Sequence, residues 1–310
     1  MSENTRDWSA YWQGRGVAGE AFLGEGVETH PGLAAYWDEV FADAAPGARV
    51  LDVACGAGSV LKRAHAQGLT DLTGADASPD ALRLLHRALP DAVPVEAPAD
   101  ALPLGERSFD LVTSQFGFEY AGDAAASEMA RVLADGGRLA ALVHMKGSLI
   151  EREVAGHADA VEAVAESGFS AAARRLIETE FAFRRGEATE DEVRAAQAAF
   201  DAPQRALFAA VQARPGGLGQ HLYDGFRQLY QRQQAYDLSD VTAWLDGMDA
   251  EVAAFRGRMT TMRAAARDEA AMAGIARQLE EGGLSDVAFE GFTLPGDEAP
   301  SAWRLTGRRQ

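Results

Sequence analysis

The chain of 310 residues is predicted to fold as a doubly wound, mostly parallel α/β sheet with an all-helical insertion, on three observations. Short apolar runs alternate with helical periodicity in the first half, which is the order of a parallel sheet with crossover helices. From about residue 147 to residue 282 there is no strand-like run. Strand-like sequence returns near the end of the chain, so the helical block interrupts the sheet instead of following it.

The first half contains five predicted strands with helices between them. Ser78 and Pro79 open the helix after the second strand, because serine is a good N-cap residue and proline suits the first helical turn. A helix over 124–133 is expected to end at the glycine pair 136–137. The five strands are predicted at 49–53, at 72–75 with Asp76 at its end, and at 92–96, 109–114 and 138–144.

The second half is predicted as helices followed by two further strands. Thr189 and Glu192 form a capping-box signature, and apolar residues from Met248 to Met262 follow helical spacing. Strands at 287–294 and 301–307 bring the sheet to seven strands. The predicted division is an N-terminal helical cap at 1–40, an α/β core at 41–146, a helical lid or insertion at 147–265 and a completion of the core at 266–310.

Charge and cysteine content narrow the function classes. A formal net charge of -18 repels phosphate backbones and anionic lipid, so neither nucleic acid nor a membrane is expected as a partner. The single cysteine, Cys55, permits no internal disulfide and no Cys-based zinc cluster, and no metal site is predicted. The N-terminal residues lack signal-peptide features, and no apolar segment reaches the roughly 18 residues that span a bilayer. A cytoplasmic location is therefore expected.

The stretch VLDVACGAGSVL at 50–61 reads as a strand that ends in an acid and is followed by a glycine-rich turn. A dinucleotide-binding turn needs a third glycine where Leu61 stands, and a phosphate-binding Walker loop needs a lysine after Gly58. The carboxylate of Asp52 suits a cationic or amine-bearing ligand better than a pyrophosphate. An NAD-type oxidoreductase is therefore disfavoured.

This stretch resembles the first motif of class I S-adenosylmethionine-dependent methyltransferases, with Ala54 in place of the first glycine of the turn. Further motifs of that family follow in order at 73–78, 99–104, 109–116 and 128–139. The resemblance covers about residues 40–145 and, more weakly, 275–308. It implies a Rossmann-like methyltransferase fold, S-adenosyl-L-methionine as the cofactor and S-adenosyl-L-homocysteine as its product.

The resemblance also implies a set of cofactor-binding residues. Asp76 is implied to accept hydrogen bonds from both ribose hydroxyls, and Asp100 to meet the adenine amino group. Two aromatic residues of the N-terminal segment are added, because an aromatic face attracts a sulfonium; packing of a helix on the sheet is their alternative role. The full set is Asp52, Ala54, Gly56, Gly58, Asp76, Ala77, Asp100, Ala101, Ser114, Gln115, Tyr11 and Trp12.

Glu119 and His144 are the candidate catalytic residues. Both follow strands of the predicted sheet, and ligands bind at the carboxyl ends of the strands in a doubly wound sheet. Histidine exchanges a proton near neutral pH, so His144 is a candidate general base, and Glu119 is placed to orient an amine or to take a proton. The alternatives are a histidine that only bonds the backbone and a solvated carboxylate at the start of a helix.

The implied reaction is an in-line transfer of a methyl group from a sulfonium to a nucleophile. No Asn-Pro-Pro-Tyr sequence follows the fourth strand, and with the acidic charge this leaves a small organic acceptor, methylated on oxygen or nitrogen, with carbon as a further alternative. A protein of the same fold that binds the cofactor without methyl transfer is the alternative. A homodimer through the helical insertion is a further expectation.

Overall fold

The computed structural model describes residues 3–13 and 30–310, and in these residues it contains one seven-stranded sheet. The strands are β1 (Val50–Val53), β2 (Leu72–Asp76), β3 (Val93–Glu96), β4 (Phe109–Gln115), β5 (Leu133–His144), β6 (Leu284–Phe292) and β7 (Ala302–Arg309). Their order is β3-β2-β1-β4-β5-β7-β6, with β7 antiparallel to both neighbours and the other pairs parallel. This confirms the predicted fold class.

The helices of the described residues lie between these strands and in a long block after β5. They are α1 (Glu3–Gln13), α2 (Pro31–Ala42), α3 (Ser59–Ala66), α4 (Pro79–Ala88), α5 (Ala124–Val132), α6 (Leu149–Glu166), α7 (Phe169–Arg184), α8 (Glu190–Ala213), α9 (Gly217–Gln231), α10 (Leu238–Ala265) and α11 (Glu269–Glu281). A short 3-10 turn, Phe118–Ala121, follows β4. Within the described ranges, none of these helices is long and apolar enough to cross a bilayer.

Two local signals of the sequence produce the helix starts that they predict. The Ser78 hydroxyl accepts the Ala81 N–H at 3.3 Å, and Pro79 stands at the first position of α4. Thr189 and Glu192 form the reciprocal capping box at the start of α8. These side chains satisfy N–H groups that the first turn of a helix leaves without partners.

The predicted helix over 124–133 is confirmed to within one residue, but the predicted role of the glycine pair as its stop is wrong. The helix α5 ends at Val132, and Leu133 already pairs with Phe109 of β4 as a fully buried strand residue. The pairing then shifts, so that Leu111 lies opposite Arg138. Gly136 has φ +76°, so the glycine pair serves this irregularity inside β5 and not the end of a helix.

The chain divides into two compact units. One comprises residues up to Val154 and from Thr260 onward, and the other is Ala155–Met259. The first unit contains the sheet, with apolar helices on both faces; α5 and α11 pack on one face, and α2, α3 and α4 on the other. Leu61 is fully buried on the second face, within 3.1 Å of where a Cβ on Gly74 would lie. The place of a third glycine is thus a core position.

The second unit has a helical core of its own. The rings of Phe169, Phe200 and Phe226 pack together with centroids 5.2–5.5 Å apart. Met248 and Val252 of α10 belong to the same buried cluster. At Met248 and Val252, the apolar stripe of α10 therefore packs in this helical core.

Candidate active site

The carboxyl ends of β1, β2, β4 and β5 bring the predicted residues to one edge of the sheet. Asp52 lies near the end of β1, Asp76 ends β2, and Gln115 ends β4. His144 is the last residue of β5. This is the edge at which doubly wound sheets bind their ligands.

The glycine-rich turn between β1 and α3 is held by the carboxylate of Asp76. Its Oδ2 accepts the Gly56 N–H and its Oδ1 accepts the Ser78 N–H, both at 2.8 Å. Gly56 and Gly58 have φ values of +52° and +82°, which glycine adopts without strain. Each carboxylate oxygen has a second acceptor position, so Asp76 retains capacity for the two hydroxyls of a ribose.

Ala54 also adopts a left-handed backbone, with φ +55°, where the resembling family has glycine. Its methyl group is accommodated by Gly117, since a Cβ on Gly117 would lie 2.5 Å from the Cβ of Ala54. Phe116, just before Gly117, has φ +53°. Two residues other than glycine therefore have left-handed backbone just after β1 and β4, and such strain is concentrated at functional sites.

Two carboxylates at this edge lie close to each other and away from bulk water. Asp52 is 1% exposed and accepts the Thr113 hydroxyl at 2.9 Å; burial raises its pKa to about 8. Loss of hydration also raises the pKa of Asp76. Among the residues that the structure describes, neither carboxylate forms an ion pair. A ligand with positive charge, such as the sulfonium and ammonium groups of S-adenosylmethionine, fits this pair.

The helix α1 covers the glycine-rich turn. Trp12 is 8% exposed and packs on Ala57 and α4, and a Cβ on Gly56 would lie 2.9 Å from its ring. The Ser9 and Ser78 hydroxyls are hydrogen-bonded at 2.8 Å. Tyr11 packs edge-on against Trp12, with the ring centroids 4.7 Å apart. Tyr11 and Trp12 therefore lie beside the glycine-rich turn, where residues that line a cofactor site would have to be. Their contact with a cofactor stays a prediction.

Two of the predicted cofactor residues have side chains that form hydrogen bonds to other groups of the protein. The Ser114 hydroxyl donates to the Val53 carbonyl at 2.7 Å and accepts the Phe118 N–H at 3.2 Å. The Gln115 Oε1 accepts the indole N–H of Trp37 on α2 at 2.6 Å. Both side chains therefore fix the end of β4, and a direct contact of either with a cofactor stays a prediction.

Asp100 and Ala101 are exposed in the loop after β3, and a clamp that the sequence did not reveal holds this loop. The Glu128 carboxylate accepts the Leu102 N–H at 2.8 Å. Arg131 donates to the Leu102 carbonyl at 3.0 Å and is paired with Glu128 at 2.7 Å. The Glu-x-x-Arg sequence on α5 thus positions the loop of Asp100. Ala77 lies partly buried between Asp76 and the cap of α4.

Glu119 and His144 form a buried dyad. The Glu119 Oε1 lies 2.7 Å from His144 Nδ1 and also accepts the His144 backbone N–H at 3.0 Å. The two residues are 2% and 4% exposed. An ionised carboxylate oxygen only accepts hydrogen bonds, so when the imidazole is neutral its Nδ1 carries the hydrogen and its Nε2 carries the lone pair. This contradicts the alternative of a solvated Glu119.

Three buried polar atoms around the dyad have no hydrogen-bond partner within residues 3–13 and 30–310. They are His144 Nε2, Glu119 Oε2 and the Tyr120 hydroxyl. Phe116 and Tyr120 pack against the imidazole, with ring centroids 4.8 Å and 5.6 Å away, and Trp8 packs edge-on against Tyr120 at 5.7 Å. Burial raises the pKa of Tyr120 well above its usual value, so its hydroxyl stays protonated.

Arg267 ties the returning chain to the dyad, although nothing in the sequence singled it out. Its backbone N–H donates to the His144 carbonyl at 2.8 Å, and its carbonyl accepts the Lys146 N–H at 3.0 Å. Its guanidinium donates to the Glu119 carbonyl at 2.8 Å and to the Ala265 carbonyl at 2.8 Å. Arg267 therefore connects the end of α10 with both partners of the dyad.

Comparison with known proteins identifies a domain family for part of the chain. The family model described as "Methyltransferase domain" matches residues 51–141, from β1 through most of β5. Residues 51–141 thus match a methyltransferase domain, in agreement with the class I motifs of the sequence. The domain match includes the glycine-rich turn, Asp76, the Asp100 loop and Glu119.

Curated relatives of this methyltransferase domain match over limited lengths. A demethylmenaquinone methyltransferase from Renibacterium salmoninarum is 38% identical over 108 residues, which are 33% of this chain and 45% of that protein. An uncharacterised methyltransferase from Mycobacterium tuberculosis is 38% identical over 92 residues, 29% of this chain and 37% of that protein. The chain thus spans less than half the length of these relatives.

Solved structures of methyltransferases are also similar to part of the chain. An S-adenosylmethionine-dependent methyltransferase from Mesorhizobium loti is 28% identical, with a TM-score of 0.32, covering 36% of this chain and 53% of that one. A geranyl diphosphate C-methyltransferase from Streptomyces coelicolor is 17% identical, with a TM-score of 0.36, covering 46% of this chain and 65% of that one.

Proposed function

We propose that this methyltransferase domain moves a methyl group from S-adenosylmethionine, by in-line displacement, to an oxygen or nitrogen atom of a small organic acceptor. The observation that carries the proposal is the Glu119–His144 dyad, with an imidazole nitrogen that has a lone pair and no partner among the described residues. The dyad lies at the same edge of the sheet as the turn held by Asp76. When bound, the cofactor supplies a methyl group already activated by its sulfonium.

The residues proposed to hold the cofactor are those of the turn and its neighbours. Asp76 has remaining acceptor positions for ribose hydroxyls, and Gly56 and Gly58 let the backbone come close to a ligand. Burial disfavours the ionised forms of Asp52 and Asp76, and the positive groups of the cofactor would stabilise those forms, so a cationic ligand fits beside them. Asp100, on the loop that the Glu128–Arg131 clamp holds, is the proposed partner of the adenine amino group.

His144 is the proposed general base, and Glu119 is a positioning residue that acts through it. The carboxylate holds the tautomer in which Nε2 accepts a proton, and it stabilises the imidazolium that then forms. Burial of both side chains keeps water away from the transferred methyl group. In a chain of net charge -18, a small acceptor is more compatible with this edge than a polynucleotide.

The test is binding followed by transfer. Titration calorimetry with S-adenosylmethionine and S-adenosylhomocysteine measures affinity, and mass spectrometry with deuteromethyl-labelled cofactor detects methylated products in a panel of phenols, carboxylic acids and amines. Binding with no product across the panel would favour the alternative of a silent cofactor-binding protein. A homodimer through the helical insertion stays a prediction, which analytical ultracentrifugation tests.

Asp76→Ala is expected to weaken binding of S-adenosylmethionine at least tenfold, about 1.4 kcal/mol, because charge-assisted hydrogen bonds are lost. The matched control is Asp71→Ala, which removes an exposed carboxylate just before the other end of β2. Circular dichroism shows whether both variants fold. Unchanged affinity in folded Asp76→Ala protein would refute the ribose assignment.

A further inference from the structure

We propose that the acceptor is a phenol or enol whose acidic hydroxyl donates its hydrogen bond to Nε2 of His144. This inference rests on the proposed function and narrows its acceptor to one chemical class. It is carried by the direction of the dyad, by the unpartnered atoms around it and by the aromatic side chains that enclose it.

The direction of the dyad makes it a proton acceptor. Oε1 of Glu119 takes both the backbone N–H and the Nδ1–H of His144, so the lone pair of Nε2 is the position of the imidazole that is left to accept a proton. A neutral amine attacks through its own lone pair before it loses a proton. A hydroxyl is a weak nucleophile until its proton is removed, so a prepared base is useful to a hydroxyl acceptor.

The buried polar atoms around the dyad have hydrogen-bonding capacity that a ligand could satisfy. Nε2 of His144, Oε2 of Glu119 and the Tyr120 hydroxyl make no hydrogen bond to any residue in the described part of the chain. A buried polar group left without a partner destabilises the folded state, so native proteins rarely keep three together without a role. A ligand hydroxyl that donates to Nε2 removes one such penalty.

The surroundings select a flat and uncharged acceptor. Phe116 and Tyr120 flank the imidazole, and Trp8 extends the aromatic surface. The cation that contacts this group within the described ranges is Arg267, and its guanidinium is bound to backbone carbonyls, including that of Glu119. A carboxylate acceptor would therefore meet the charge of Glu119 without a cation to balance it.

The transfer balances as a substitution at the methyl carbon. The O–H bond of the acceptor breaks and its proton goes to Nε2, while the oxygen forms a bond to the methyl carbon. The electron pair of the broken carbon–sulfur bond stays on sulfur as a neutral thioether. The imidazolium, paired with Glu119, returns its proton to water after the product leaves.

The first experiment uses 4-nitrophenol, whose phenolate is yellow, with the full chain saturated with S-adenosylhomocysteine. One pH unit below the pKa of the free phenol, we expect the bound phenol to be mostly ionised, a shift of at least tenfold in its ionisation. His144→Asn should abolish this shift and Glu119→Gln should reduce it. 4-Nitroaniline and 4-nitroanisole, which offer no acidic hydroxyl, should bind at least tenfold more weakly.

The second experiment reads the tautomer directly and does not depend on the choice of acceptor. In protein labelled with ¹⁵N-histidine, His144 should show a protonated Nδ1 and an unprotonated Nε2, and its signals are assigned by their loss in His144→Asn. Glu119→Gln should shift the mixture towards the other tautomer, while His86→Asn, on the exposed side of α4, should change neither signal.

The outcomes separate the inference from the proposed function. Equal ionisation in wild type and His144→Asn, no binding of any hydroxylated probe, or a protonated Nε2 in the free protein would each overturn the inference. So would methylation of amines in preference to matched phenols, although the proposed function would then stand. Failure to bind S-adenosylmethionine at all would overturn the proposed function itself.

Discussion

At the scale of single residues, Ala54 and Gly117 explain each other. The methyl group of Ala54 lies where a side chain on Gly117 would have to go, and the left-handed φ of Ala54 directs it there. Neither residue is explained by its own neighbours in the sequence. The two residues are therefore explained by the contact between the turn after β1 and the segment after β4.

Gly117→Ala is expected to destabilise the protein by about 1–3 kcal/mol, because the new methyl group overlaps that of Ala54. Combining it with Ala54→Gly should recover most of the loss. Urea denaturation of the single and double variants measures the coupling. Gly274→Ala, in open space on α11, is the control and should not destabilise. Equal losses with alanine or glycine at 54 would contradict the contact.

Asp52 gives the stability a dependence on pH whose sign follows from its burial. An unfolded aspartate loses its proton near its ordinary pKa of 3.8, whereas Asp52 keeps its proton up to about 8 in the folded chain. The folded state therefore binds more protons between these values, and the contribution of Asp52 to the free energy of unfolding falls as pH rises through this range.

Asp52→Asn should remove that dependence. The free energy of unfolding of the variant should therefore rise relative to that of the wild type from about pH 5 to about pH 8. The difference between the two proteins isolates Asp52 from groups such as Glu128, whose pKa is lowered by Arg131 and which acts with the opposite sign. Denaturant titrations at both pH values measure the difference. A gap that stays constant with pH would show that Asp52 is already ionised in the folded chain.

At the scale of elements, side chains at helix and strand ends position the loops that carry the candidate site. The Glu128–Arg131 clamp on α5 fixes the loop after β3, and Ser114 fixes the 3-10 turn after β4. Arg267 joins the end of α10 to the end of β5 and to that same turn. These side chains thus position the loops around the candidate site through hydrogen bonds to the backbone.

Arg267→Ala should reduce methyl transfer about tenfold while changing the affinity for S-adenosylhomocysteine less than twofold. The reason is that its guanidinium holds the Glu119 carbonyl, whereas the proposed cofactor turn is held by Asp76. Turnover, calorimetry and the ¹⁵N signals of His144 measure the two effects. Arg263→Ala, exposed on α10, is the control. A loss of cofactor affinity equal to the loss of turnover would contradict this division of roles.

At the scale of the whole molecule, the helical segment begins just after His144 and the chain returns at Arg267. Its residues 155–259 form a compact unit with an aromatic core of their own. The sheet unit likewise has buried clusters on both faces. We therefore expect the fold and cofactor binding to belong to the sheet unit.

Replacing residues 155–259 by a flexible glycine–serine linker should leave S-adenosylhomocysteine binding within a few-fold and abolish acceptor turnover. The expected loss follows from the prediction, made from the sequence, that the helical insertion after β5 is a lid. Circular dichroism, calorimetry and product detection measure the three properties. Retained turnover would contradict the lid, and loss of cofactor binding in a folded protein would contradict the independence of the sheet unit.

The sequence predicted the seven strands, their alternation with helices and the start of α4, because these follow from local periodicity and capping. It also placed Asp76, Glu119 and His144 at strand ends. It misassigned the glycine pair 136–137 as a helix stop, since a glycine pair ends a helix or bends a strand according to what Leu133 packs against.

By itself, then, the sequence determined the fold class and the methyltransferase character of the domain, since both depend on patterns spaced a few residues apart. The tertiary structure decided that Glu119 is hydrogen-bonded to His144, 25 positions away in the sequence. It also decided that the Ser114 hydroxyl donates to a backbone carbonyl and that the Arg267 guanidinium donates to the Glu119 carbonyl. The physical reason is that hydrogen bonds between distant residues depend on strand order and register. No local pattern in the chain encodes either of them.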